Sequence, residues 1–181
     1  MKIFESVAQL KLARLGTGQL VKTKGYYTAN DGGGAEYIIV VTTGTDDGGS
    51  YIDLALNQAK LVSLSEVNLK QFGVIFDYDR DLNTGTDNTV AFQSALDYAY
   101  SAKIHKVKIP DGKMFFTTVD VPCSDNYNRA GMWLNGNGLT ASDLYSDTAR
   151  ALNLIDREAG GSIAYNCKLT NFTLRGVDNT G

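Results

Sequence analysis

This chain of 181 residues has one histidine, two cysteines, two prolines and one tryptophan. A Ser-His-Asp relay would have to run through His105, and nothing near it marks an exposed nucleophile or an orienting acid. His105 falls between a helical and a strand-like segment, where a surface turn is expected. Cys123 and Cys167 are too few and too far apart in the chain for a disulfide scaffold or a zinc site. They read as buried free thiols of a protein folded in a reducing compartment. Basic charge is not in excess: 17 Lys and Arg face 20 Asp and Glu, for a net charge of −3. That argues against nucleic acid as a partner, because phosphate binding needs a basic face. No apolar run reaches the ~18 residues of a membrane-spanning helix. The opening Met1-Lys2-Ile3-Phe4-Glu5-Ser6 lacks the apolar stretch of a secretory signal, so synthesis in a cytoplasm is expected.

What the chain does have is glycine and aromatic residues. Nineteen Gly against two Pro suits a turn-rich β protein, and ten Tyr and seven Phe are strand formers. The length supports one domain or two small ones. One segment reads as a helix: Phe92, Ala95, Leu96 and Ala99 fall at i, i+3, i+4 and i+7. Thr86 or Asp87 is placed to cap it, since a short side-chain oxygen accepts from the free first-turn N–H groups. After Lys103 the period changes to that of strands, as in Lys106-Val107-Lys108-Ile109 and Phe115-Phe116-Thr117-Thr118-Val119. One helix followed only by short strands suggests a helix plugging the open end of a stack of β-coils. Coils of about 20–30 residues would place three of them after residue 105, with Leu169, Phe172 and Leu174 pointing inward.

The order of these pieces resembles a family. "FGVIFDYD", "GTDNTVAFQSALDYA" and "KVKIPDGKMFFTT", together residues 72–118, resemble the opening of the pectate-lyase-like right-handed parallel β-helix. There an F-G-A/V step precedes a D-N/D-T-x-A-x-Q-x-A helix and a strand ending in P-x-G. Tyr78 stands where that family usually has the Gly of a shorter D-G loop. The earlier residues carry a second resemblance, in Leu15-Gly16-Thr17-Gly18-Gln19-Leu20-Val21-Lys22-Thr23-Lys24-Gly25-Tyr26 and Gly32-Gly33-Gly34-Ala35-Glu36-Tyr37. This pattern is similar to the module ahead of the β-helix in bacteriophage tailspikes and capsule depolymerases. The expected fold class is mainly β: an N-terminal particle-anchoring β-rich domain over 1–66, then a capping α-helix and the first coils of a β-helix over 67–181.

Within 1–66, Ser6 and Gln9 have the spacing of a capping box, predicting a helix over 6–14. Strands are expected over 19–24 and 37–42, with a hairpin of 51–56 and 60–64 around Asn57-Gln58. The Gly32-Gly33-Gly34 loop lacks the phosphate-cradle pattern and is read as a tight turn into the next strand. A domain of ~65 residues buries too little surface to be robust alone. The resemblance implies that the support comes from a homotrimer.

The resemblance further implies a virion component made in the bacterial host cytoplasm and carried on the phage tail. Its partners would be a tail or baseplate protein or another tailspike, with host surface polysaccharide bound through residues beyond this chain. Because the chain stops directly after a strand, it is read as an N-terminal piece of a longer protein, or else a short protein whose end a partner covers; in the first case the piece is itself inactive and the whole length is a glycoside hydrolase or lyase. The alternative is a polysaccharide-binding adhesin, or a lyase or hydrolase, of bacterial origin on the same fold. No catalytic, cofactor or metal residue is assigned. Asp77, Asp79 and Asp81 alternate as in a calcium loop, but Leu82 and Asn88 stand where an EF-hand needs Gly and Glu, leaving a solvated acidic loop or a looser calcium site. Asp143 and Asp147, and Asp156 with Glu158, read as turn carboxylates. Trp133, Tyr127 and Tyr145 are the candidate glycan contacts, with Trp133 as a core residue the competing reading.

Overall fold

The computed structural model describes residues 1–62, 65–123, 131–156 and 167–177. The chain opens with β1 (Lys2–Phe4), α1 (Val7–Lys11), β2 (Leu20–Thr23), β3 (Glu36–Val40), β4 (Tyr51–Asp53) and β5 (Gln58–Leu61). The strands form one sheet in the order β1-β2-β3-β5-β4, with β1 parallel to β2 and the rest antiparallel. Period-two alternation sends one set of side chains into the core. Val21, Tyr37 and Leu61 make one buried row, and Ile39, Ala59 and Ile52 the next. Ser6 caps α1 by accepting from the Gln9 N–H at 3.3 Å. The helix is shorter than the expected 6–14: it ends at Lys11, and Leu12 beyond it is exposed. Gln58 is not a turn residue either. It is buried in β5, where its amide accepts from the Thr43 and Gly44 N–H groups and donates to the Gly44 carbonyl.

A short connection joins this sheet to the rest. It comprises β6 (Val67–Asn68) and a 3₁₀ turn over Leu69–Phe72, closed by Gly73 at a positive φ of 81°. The joint is tight. A Cβ on Gly33 would lie 2.4 Å from the Lys70 carbonyl oxygen, and one on Gly49 would lie 2.2 Å from the Phe72 ring. The glycine loop therefore serves close backbone approach rather than a ligand. The Tyr27 hydroxyl adds a 2.8 Å bond to the Gly73 carbonyl.

The helix α2 (Thr89–Ser101) buries Phe92, Ala95, Leu96 and Ala99, the face expected from spacing. Asp87 accepts from the Thr89 N–H at 2.9 Å, but the cap position belongs to Asn88 and not to the expected Thr86 or Asp87. Asn88, the residue at the cap position, turns its amide elsewhere. It accepts from the Ile75 N–H and donates to the Ile75, Thr86 and Phe115 carbonyls.

Above α2 the chain coils. The first coil is β7 (Lys106–Lys108), β8 (Gly112–Phe115) and β9 (Val119–Cys123). The second is β10 (Trp133–Asn135), β11 (Ser142–Ser146) and β12 (Leu152–Asp156). The third supplies β13 (Lys168–Thr170) and β14 (Thr173–Gly176). All coil-to-coil pairings are parallel, in sheets ordered β13-β10-β7-β6, β14-β11-β8 and β12-β9. Ser142 stands over Gly112, so a coil takes about 30 residues. Inner columns run Val107, Leu134, Leu169 and Met114, Leu144, Leu174. Leu169 and Leu174 follow the expected inward columns, yet remain 43% and 44% exposed at the top of the described stack. At the bottom, α2 replaces a missing coil. The Gln93 amide accepts from the Asp120 N–H at 2.7 Å and donates to its carbonyl at 3.1 Å, satisfying an edge that would otherwise be open. The Phe92 and Phe116 rings meet edge to face at 5.4 Å.

The cysteines correct an expectation. Cys123 and Cys167 are joined by a disulfide, with Cα atoms 5.5 Å apart. Forty-four residues of sequence separate them, but the coiling carries the chain back over itself, so Cys167 arrives above the end of β9. Chain distance is a poor guide to space in a solenoid. The buried residues, from Val7 to Ala151, form one continuous core through the sheet, α2 and the coils.

Candidate functional site

Two outer faces of the coil stack gather chemistry-bearing side chains. The first is the face of β7, β10 and β13. Trp133 is not a core residue: the alternation that sends Met132 and Leu134 inward sends it outward. It lies in register between Lys106 below and Lys168 above, whose ammonium groups stand 5.0 and 4.4 Å from the indole centre. The indole N–H donates to Thr170 Oγ1 at 2.7 Å, and the Thr170 hydroxyl donates to Asn135 Oδ1 at 3.0 Å. Glu66 pairs with Lys106. Lysines thus approach the ring from both neighbouring coils.

The second face belongs to β8, β11 and β14. Register places Lys113, Asp143 and Thr173 in one row and Phe115, Tyr145 and Arg175 in the next. The Asp77–Asp87 loop lies over these rows and covers them with Tyr78. The Tyr78 ring stacks on Tyr145 at 4.4 Å and on Phe115 at 5.8 Å. Tyr145 is 3% exposed, so it supports Tyr78 from beneath and presents no ring face to solvent. Burial, and then the neighbouring Tyr145, push the Tyr78 phenol above its ordinary pKa. Its hydroxyl donates to Asn83 Oδ1 at 2.7 Å. The loop closes on itself through paired backbone bonds between Asp79 and Thr84, at 2.7 and 3.1 Å. Gly85 lets it settle onto Tyr78, since a Cβ there would lie 2.8 Å from the Tyr78 Cα. Beside the loop opens a cleft of about 400 Å³ lined by Tyr78, Asn83, Thr84, Gly85, Phe115, Asp147 and Val177. On the adjoining row, buried Asp143 has Arg175 at 3.6 Å.

The acidic residues singled out from sequence disperse. Asp77 accepts from the Thr86 N–H and hydroxyl, and Asp79 from the Asp81 and Leu82 N–H groups. Among the described residues no three His, Cys, Asp or Glu side chains gather in a metal-holding group. Asp143 and Asp147 share the outer face of the second coil with Tyr145. Tyr127 and Glu158 lie outside the described residues. His105 is exposed, as expected of a turn residue. Sequence reasoning missed Tyr78, Phe115 and Arg175 as neighbours of Tyr145. Coil register sets the place of Phe115 and Arg175, which a known coil length of about 30 residues would have aligned, and the loop before α2 brings Tyr78 over them.

No family model matches this sequence, and no curated protein matches it. Solved structures do. One is WceF of Pantoea stewartii, a glycan biofilm modifying enzyme with a bacteriophage tailspike-like parallel β-helix fold; it is 20% identical at a TM-score of 0.69, over 98% of this chain and 26% of that one. The tailspike protein of Acinetobacter phage vB_ApiP_P1 is 16% identical at a TM-score of 0.66, over 97% of this chain and 29% of its own. The tailspike protein gp49 of Acinetobacter baumannii bacteriophage Fri1, a capsular polysaccharide depolymerase, is 17% identical at a TM-score of 0.58, over 99% and 40%. The chain thus has the parallel β-helix fold of phage tailspike proteins and spans 26% to 40% of the length of these three structures.

Proposed function

We propose that this chain is the virion-proximal part of a phage tailspike. In this reading residues 1–66 form a particle-anchoring domain and the residues from 67 onward begin a trimeric shaft. The whole protein would recognise and degrade host surface polysaccharide, with the degrading site beyond this chain. The observation that carries the reading is the order of parts. A small sheet, a capping helix and the first coils align over nearly the whole chain with phage tailspike structures of about three times its length. The partners would be a second spike or a tail protein, and the protein would be made in the host cytoplasm. Its disulfide would then form after release into an oxidising medium.

The likeness to WceF supports a second reading, a bacterial glycan-modifying protein on the same fold. Light scattering on the purified chain separates the two. A particle of three times the 19.6 kDa chain mass supports the anchoring reading, whereas a monomer that associates with no phage component removes it.

A further inference from the structure

We propose that the cleft beside the Asp79–Thr84 bridge is a saccharide subsite carried by this chain itself, fitted to an uncharged or N-acetylated hexopyranose unit. The choice of ligand class rests on the polysaccharide reading above. The cleft's volume of about 400 Å³ lies within the ~300–1,000 Å³ of small-ligand sites. Its apolar side is the Phe115 ring and the edge of Tyr78, held from behind by Tyr145. Its polar lining residues are Asn83, Thr84 and Asp147, which carry amide, hydroxyl and carboxylate groups. A pyranose matches this division: its C–H face packs on an aromatic ring while its hydroxyl edge meets amide, hydroxyl and carboxylate groups.

Charge narrows the class. Among the described residues Asp147 is the only charged one in the lining, and Arg175 on the adjoining rows is turned to Asp143. Within the lining a uronate would meet the Asp147 carboxylate and no cation, Arg80 lying outside the lining though near enough to act on the Tyr78 phenol, whereas a hydroxyl or amide donor gains a charge-assisted bond. The aromatic wall is also pre-formed. Tyr78 is fixed by Asn83, by the ring stack and by the closure of its loop, so little ordering cost remains for the ligand to meet.

The test is saturation-transfer NMR with titration calorimetry on the full chain, using chitotetraose, maltotetraose and tetragalacturonate as probes. The expected result is saturable binding of at least one uncharged probe, about tenfold tighter than tetragalacturonate. Thr84→Val and Asp147→Ala, both at exposed positions, should each weaken it about fivefold or more. Phe115→Leu should abolish transfer to the ring protons while circular dichroism stays unchanged. Silence of both uncharged probes, preference for tetragalacturonate, or unaltered binding in both rim variants overturns the subsite. A trimer that binds no probe removes the subsite and leaves the tailspike reading standing. A monomer that binds one keeps the subsite, and the tailspike reading then falls if that monomer also associates with no phage component.

Discussion

The sheet of residues 1–62 and the coils of residues 67–177 are held by opposite means. In the sheet, single side chains fix single turns. Asp31 accepts from the N–H groups of Tyr26, Tyr27, Thr28 and Gly33, and Asp47 from those of Gly49, Ser50 and Tyr51. In the coils, repetition does the same work: each strand lies on the one below, and inner columns repeat apolar residues coil after coil. The first design concentrates stability in a few irreplaceable groups. The second spreads it along a ladder and is most exposed at its ends, where α2 and the Cys123–Cys167 bond act. The two designs meet at Phe72, buried under Gly49.

The joint is the place to break the comparison outright. Phe72→Ala should cost about 3–5 kcal/mol, read as a lower urea midpoint, because it empties the contact that both regions share. Reducing the disulfide, or Cys123→Ser, should cost about 2–4 kcal/mol and lower the melting temperature. Hydrogen exchange should then rise in the strands β9, β12 and β13 and leave β2, β3 and β5 unchanged. Asn88→Ala should cost about 1–3 kcal/mol, since it strips partners from the Ile75 N–H and three carbonyls beside the first coil.

The smallest effect is pH-dependent and belongs to the sheet. Burial alone would raise Asp31, but the N–H groups of Gly33, Thr28, Tyr26 and Tyr27 together hold its carboxyl below the ordinary range. Burial likewise acts upward on Asp46, and is outweighed by the Asp53 and Gly48 N–H groups and the Lys11 ammonium. A carboxyl whose folded pKa lies below its unfolded one contributes fully above the unfolded value and loses that contribution as pH falls through the folded value. From about pH 4 downward, exchange in the turns at Asp31 and Asp46 should therefore rise first. In Asp31→Asn and Asp46→Asn chains that acid sensitivity should shrink.

Sequence pattern was informative where the physics is local or periodic. The buried face of α2 follows from 3.6-residue spacing, whereas the same alternation read Trp133 into the core and the structure places it outward, with Met132 and Leu134 inside. The part it did not reach is what coil register decides. Cys123 reaches Cys167, and Tyr145 reaches Phe115 and Arg175, only because a coil returns the chain to the same azimuth after about 30 residues. Asn88 was passed over for Asp87 because its role is to bond the distant Ile75 and Phe115 carbonyls and the Ile75 N–H, which no short window reveals. The cleft depends on Tyr78 folding over the second coil, a contact across 67 residues of chain.

The central claim is that sheet, capping helix and coils share one core and stand or fall together. Scanning calorimetry of the oxidised chain tests it most directly. The account predicts one transition, with the calorimetric enthalpy equal to the van't Hoff enthalpy of the cooperative unit. Two resolved transitions, with the sheet melting first and the coils surviving it, would contradict it.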